Sequence, residues 1–266
     1  MTLLSLLRAT ALLFAVQLST TLRSRRTLIC VLVALVPVGV AAFVSVASSR
    51  NGQPAPETPT VIGWYVQVQV IVPILALVLG SGVVAGELED RTLTYLFTRP
   101  IPRASVLLGR WLAALLVLSV LLSTTSFLTL WFLDLGIPMG PGIPVPEGVP
   151  LSLFLVVLLG AAVYSAVFAA AGTFLKHPMI VGLGYVFAIE GFLANLPGDS
   201  QGLTLQYYLR SFAVAYGPEA WRQMEAFEGL QFDPGPEALR TLGLTLAVAL
   251  GVGFRVVSRR QYVLPA

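Results

Sequence analysis

Four stretches of this chain carry no charged side chain: Thr27–Ser49, Thr58–Gly86, Trp111–Leu133 and Gly148–Leu175. A bilayer core of roughly 30 Å needs about 20 apolar residues as a helix, and each stretch meets that length. A fifth apolar segment, about 179–196, contains one acid, Glu190. A sixth, about 238–257, holds Arg240 and Arg255 near its two ends, where long side chains reach the headgroups. Composition agrees. Only 11% of residues are charged and 56% are hydrophobic, whereas a soluble domain carries about a quarter charged residues. The expected fold is an all-α integral membrane protein, one domain over 1–266, with spans at about 27–49, 60–86, 106–133, 149–175, 179–196 and 238–257. Pro37 and Pro73 lie inside spans one and two and predict kinks.

Rare residues exclude several chemistries. The chain has one Cys (Cys30), one His (His177) and one Lys (Lys176). That set cannot build a structural zinc site or an iron–sulfur cluster, and an internal disulfide is impossible. Cys30, inside an apolar run, is expected to pack as a small hydrophobe. A P-loop needs Lys followed by Ser or Thr after a Gly-rich turn; here Lys176 precedes His177 and Pro178. No Walker-type ATPase and no catalytic site is expected in this chain. The net charge of +3 makes no case for nucleic acid.

Six spans put both termini on one side. If that side is the cytoplasm, the inner basic residues are Arg8, Arg23, Arg25, Arg26, Arg91, Arg99, Arg103, Arg110, Lys176, Arg255, Arg259 and Arg260. The outer ones are Arg50, Arg210, Arg222 and Arg240. Twelve against four is the bias that sets orientation, so both termini are expected in the cytoplasm. Trp64, Tyr65, Trp111 and Trp131 fall near span ends and are expected at the membrane interface.

Residues 1–26 start apolar, are interrupted by Arg8, and end in Arg23, Arg25 and Arg26. Between Arg8 and Arg23 the run is too short to span, which predicts an interfacial helix on the inner leaflet; a cleaved leader is the alternative. The segment 197–237 repeats Trp221, Met224, Phe227 and Leu230 at every third position, with charges between. This pattern predicts an amphipathic helix on the outer face. Small residues recur at Gly82 and Gly86 and at Ala247 and Gly251, suited either to packing within the bundle or to a dimer seam. Glu190, the one acid well inside a span, is a candidate for the transport pathway or for a structural hydrogen bond.

Between spans two and three lies the one long charged stretch, GELEDRTLTYLFTRPIPRASVLLGR over 86–110. Glu87, Glu89, Asp90, Arg91, Arg99, Arg103 and Arg110 are its charges, and Leu88, Leu93, Leu96 and Phe97 form an apolar stripe. A charged, amphipathic segment on a short loop is what a membrane subunit presents to a soluble partner.

This stretch resembles the first cytoplasmic loop of the ABC-2 family of transporter permeases. The matching elements are the acidic start at Glu87 and Glu89, the run Thr92-Leu93-Thr94-Tyr95-Leu96, Arg99-Pro100-Ile101-Pro102-Arg103, and Gly109-Arg110. The layout is similar too. Asp90-Arg91 stands where Gly is frequent, and Arg110 replaces the commoner Lys. Within the family the likeness is to bacterial permeases of nitrous-oxide-reductase maturation and of sodium or peptide-antibiotic efflux. The resemblance implies a permease of the bacterial inner membrane whose two copies, a homodimer, pair with two ABC ATPase subunits. ATP and Mg would be bound by those partners, and this chain would hold no cofactor. It also implies that Glu89–Thr98 is a coupling helix, with Glu87, Glu89, Asp90, Arg91, Thr92, Leu93, Tyr95, Leu96, Phe97, Arg99 and Arg103 at the contact. Export is the expected direction. Other classes remain open at this point: a secondary transporter, a non-transporting scaffold, or an intramembrane serine protease built on Ser81 and His177.

Overall fold

A computed structural model describes residues 3–51, 55–90, 103–138, 142–196 and 199–259. Among them no strand occurs, and six helices are long and apolar enough to cross a membrane: Arg25–Ser48, Thr58–Val83, Ser105–Leu135, Val149–Phe174, Pro178–Asn195 and Gly235–Ser258. The fold is an all-α, multi-pass membrane protein. Ahead of the first span runs α1 (Leu3–Leu22). Its apolar part, Thr10–Leu22, is too short to cross at 1.5 Å per residue. Ser24 separates α1 from α2 (Arg25–Ala34) by accepting the Thr27 amide at 3.2 Å, a side-chain cap on an otherwise orphan donor.

Proline shapes two of the spans. Span one is two helices, α2 and α3 (Val36–Asn51), with Pro37 in the first turn of α3, where its missing N–H costs nothing. The expected kink is thus a break at Leu35. Span two begins with α4 (Thr58–Val61), widens into a π-helical stretch over Ile62–Ile71, and continues as α5 (Val72–Asp90). The wide register persists to the boundary, where Val72 N–H reaches the Gln67 carbonyl. The next rung would join residue 73 to Val68, but Pro73 has no N–H. Val68 O is instead taken by Gln206 Nε2 at 3.1 Å. Span five repeats the plan, with α8 (Pro178–Gly184) leading into π helix over Tyr185–Phe192.

Spans two, three and four form the core. Their hydrophobic stretches are 67, 61 and 67% buried, against 28, 28 and 22% for spans one, five and six. Spans three and four are α6 (Arg103–Leu135) and α7 (Val149–Phe174). The approach of α5 to α7 is set by two glycines. A methyl added to Gly80 would sit 2.8 Å from the Ser165 carbonyl oxygen, and one added to Gly172 would sit 2.8 Å from that of Ser81. Small residues at a crossing let backbones touch, which is how helices gain packing where lipid removes the hydrophobic drive. Cys30 is buried among apolar neighbours, as its setting in the sequence predicts.

The two faces of the bundle differ. One, here the terminal face, carries α1 and the short α7–α8 joint at Leu175–His177. The other, the loop-rich face, gathers 55–57, 142–148, 196 and 199–234, and Glu225 N–H donates to Glu57 there at 3.2 Å. On this face the segment after span five departs from expectation. Trp221, Met224 and Phe227 are buried and Leu230 packs against the same core, so the three-residue period marks burial. They do not form one helix: Trp221 and Phe227 end separate 3-10 turns, Glu219–Trp221 and Glu225–Phe227, while Met224 lies between the turns and Leu230 beyond them. A period of three is the 3-10 repeat, whereas an α-helix would drift off it. The helix of this segment is α9 (Leu205–Tyr216), which comes earlier.

Two tryptophans also differ from expectation. Trp64 is 2% exposed, with its ring edge-on to Trp221 and Phe227. Trp111 is 7% exposed and its Nε1 donates to Ser165 Oγ at 3.0 Å. Both face the core because serine hydroxyls and aromatic partners satisfy them there. Trp131 is half-exposed and stacks on Phe127. Trp221 Nε1 donates to Ser152 Oγ at 2.8 Å, joining the loop-rich segment to α7. Ser152→Ala therefore leaves a buried donor unmet and is expected to cost about 1–3 kcal/mol, seen as a lower thermal midpoint in detergent. The double change with Trp221→Phe should cost less than the sum of the two single changes.

Candidate functional site

The charged stretch between spans two and three is anchored at both ends. Glu87 and Glu89 lie in the final turns of α5, and Asp90 ends it, while Arg103 opens α6. The side chains of these four, and the whole of Arg91, Thr92, Leu93, Tyr95, Leu96, Phe97 and Arg99, lie outside the described residues. The base of the loop is described. Arg110 is buried and its Nη1 reaches the Val83 carbonyl at 3.5 Å, tying α6 to α5 below the loop. Arg26 of α2 approaches the same region: a methyl on Gly82 would lie 3.3 Å from its Nη1. Helix α1 crosses α6 at Gly109, where an added methyl would meet the Thr10 carbonyl oxygen at 2.8 Å and Leu13 Cβ at 3.1 Å. The Gly109-Arg110 pair thus has two physical jobs, seating α1 and bracing α5.

A second polar site is buried near the loop-rich face. Glu190, in the π-helical part of span five, is 0% exposed. Its Oε1 accepts the Leu205 amide at 3.0 Å and its Oε2 the Gln206 amide at 3.0 Å. These are the first two N–H groups of α9, whose third, on Tyr207, is accepted by the N-cap Thr204 Oγ1 at 3.2 Å. The carboxylate meets two orphan donors and the positive end of the helix dipole together. Tyr185 Oη donates to Oε1 as well. Tyr164 is buried alongside Glu190 and Gln206, though its hydroxyl makes no hydrogen bond of good geometry. From the π-helical stretch of span two, Gln67 Nε2 donates to the Leu122 carbonyl and to Thr125 Oγ1 of α6, both at 3.3 Å.

Further along α9, Arg210 is 1% exposed. Its Nη1 donates to the Ala194 carbonyl at 3.1 Å and its Nη2 to Gln201 Oε1. The guanidinium lies 5.6–5.9 Å from the ring centroids of Tyr207, Phe227 and Phe232, a cation–π setting. Burial lowers its pKa to about 10, which leaves it charged at neutral pH. Sequence reasoning placed Arg210 in an outer loop and did not single out Gln67, Tyr164, Tyr185 or Gln206. Amides inside a charge-free run were the available signal for Gln67. Gln206 had none, because its partner carbonyl is exposed only by Pro73.

Ser81 is buried where α5 crosses α7, while His177 is exposed at the joint before α8. Ala247 and Gly251 face outward on α10 (Gly235–Arg259), and a methyl on Gly251 would meet nothing within 4 Å.

Six apolar helices around a close α5–α7 crossing, with a charged segment in the sequence between spans two and three, define a polytopic membrane protein. Residues 12–198, more than half of the chain, match the family described as ABC-2 family transporter protein, and the chain belongs to that family. Among curated proteins none matches. The protein is accordingly a transmembrane subunit of an ABC transporter. Gly109→Val should lift α1 from α6, and limited trypsin digestion in micelles should then cut at Arg23 or Arg25 several-fold faster than in the parent. Unchanged cleavage would mean that α1 is not held at that crossing.

Proposed function

We propose that this chain is the permease of an ATP-driven exporter in a bacterial inner membrane, with its terminal face in the cytoplasm. The observation that carries the reading is the charged, amphipathic stretch between α5 and α6, joined to a family whose members serve ABC transporters. The Lys/Arg bias supports the orientation. In this reading Leu93, Leu96 and Phe97 bury in a groove of an ATPase subunit, and Glu87, Glu89, Asp90, Arg91, Arg99 and Arg103 set register there. Thr92 and Tyr95 lie on the same short segment. Pro100 and Pro102 stop that segment and stiffen its link to α6, so a push on it reaches span three. ATP and Mg are bound by the partner. Two copies of the chain make the functional unit.

Purification from source membranes in mild detergent should bring a nucleotide-binding subunit in equal amount. Changing Leu93, Leu96 and Phe97 to Asp should weaken that association at least about a hundredfold, since each buried apolar side chain contributes about 1.5–3 kcal/mol. A native protein that comes alone would overturn the reading.

A further inference from the structure

We propose that α9 is a lid on the loop-rich end of the bundle and that Glu190 is its latch. The lid reading follows from where α9 lies. Leu205, Gln206, Tyr207, Leu209, Arg210, Ser211, Ala213 and Val214 are all buried, so the helix is inserted among the spans and does not rest on them. Leu209 packs on Gly160 of α7, where a methyl would come within 3.2 Å of its Cδ1. Gln206 reaches Val68 in span two. At its other end α9 meets the start of α10, where Gly235 lies so close to Ala215 and Tyr216 that a methyl would come within 2.7 Å of either. One helix therefore touches spans two, four and six, and anything leaving through that end must displace it.

The latch reading follows from how α9 is held. Its first two amides have no other acceptor in the helix, and both end on the carboxylate of span five. The bond is charge-assisted on both oxygens, and Tyr185 fixes the carboxylate from its own element. Glu190 is thus a positioning residue, holding the mouth of the bundle through α9. Glutamine in its place keeps the shape but offers one acceptor oxygen, and turns an NH2 donor toward the second amide. Donor then faces donor at the helix end. Because these contacts all lie within one chain, the proposal stands whether or not an ATPase partner is found.

The chain's sole cysteine makes the test direct. Ser211→Cys in a Cys30→Ala background places a single thiol on the buried face of α9, where Ser211 is 0% exposed. The full-length protein in lipid nanodiscs is then treated with a charged, water-soluble maleimide. The expected result is slow labelling with Glu190 present and labelling about tenfold faster, or more, after Glu190→Gln, as two charge-assisted bonds are lost. Tyr185→Phe, which removes one donor and leaves both amide contacts, should give a smaller rise. A companion sample keeps native Cys30 as the only thiol. Cys30 is 1% exposed in span one and should stay unreactive in Glu190→Gln if the opening is local. Equal labelling of Ser211→Cys with and without Glu190, or a parallel rise at Cys30, would overturn the proposal.

Discussion

A carbonyl inside a bilayer has no water to fall back on, and Pro73 leaves one without its partner. The consequence spreads through the molecule. Span two carries a π-helical register up to the proline, and Gln206 from a distant segment satisfies the unmatched Val68 carbonyl. For Gln206 to reach that depth, α9 must enter the bundle. Once there, its first amides would be stranded unless an acceptor met them, and Glu190 of span five is that acceptor. The acid within span five and the side-chain amide of Gln206 answer the same demand, that no backbone polar group be left unmatched in hydrocarbon.

The architecture around this seam is graded. Spans two, three and four bury most of their surface, and spans two and four cross at Gly80 and Gly172, where side chains would hold the backbones apart. Spans one, five and six show apolar side chains such as Leu32, Phe43, Ile180, Phe187 and Leu244 outward. In water such exposure would be a liability; against lipid tails it is neutral. The rigid centre and the lightly held periphery are therefore products of one sequence pattern read in one solvent.

Six apolar runs and their order were legible from residue type alone, because length and absence of charge are strong signals in hydrocarbon. Burial of Trp221, Met224 and Phe227 was legible too, but the helix type was not, since a three-residue period is shared by an irregular 3-10 path. Trp64 and Trp111 misled because position near a span end says nothing of which way a ring turns; the partners that draw them inward, the rings of Trp221 and Phe227 for one and the Ser165 hydroxyl for the other, lie on distant segments and are invisible locally. Glu190 stood out in the sequence as an isolated acid. Its role as a helix cap could not be read there, because its partners are backbone amides, which every residue has.

The partners that seat α9 have a further consequence in time. Val68, Gly160 and Glu190 all precede Leu205 in the chain, so they leave the ribosome first. When α9 is synthesised, the carbonyl it must satisfy and the carboxylate that caps it are already made. Contacts from Arg222, Phe227, Phe232, Asp233 and Gly235 are still to come. The inner seat of α9 is therefore complete before the sixth crossing of the membrane is made, and its outer cover follows.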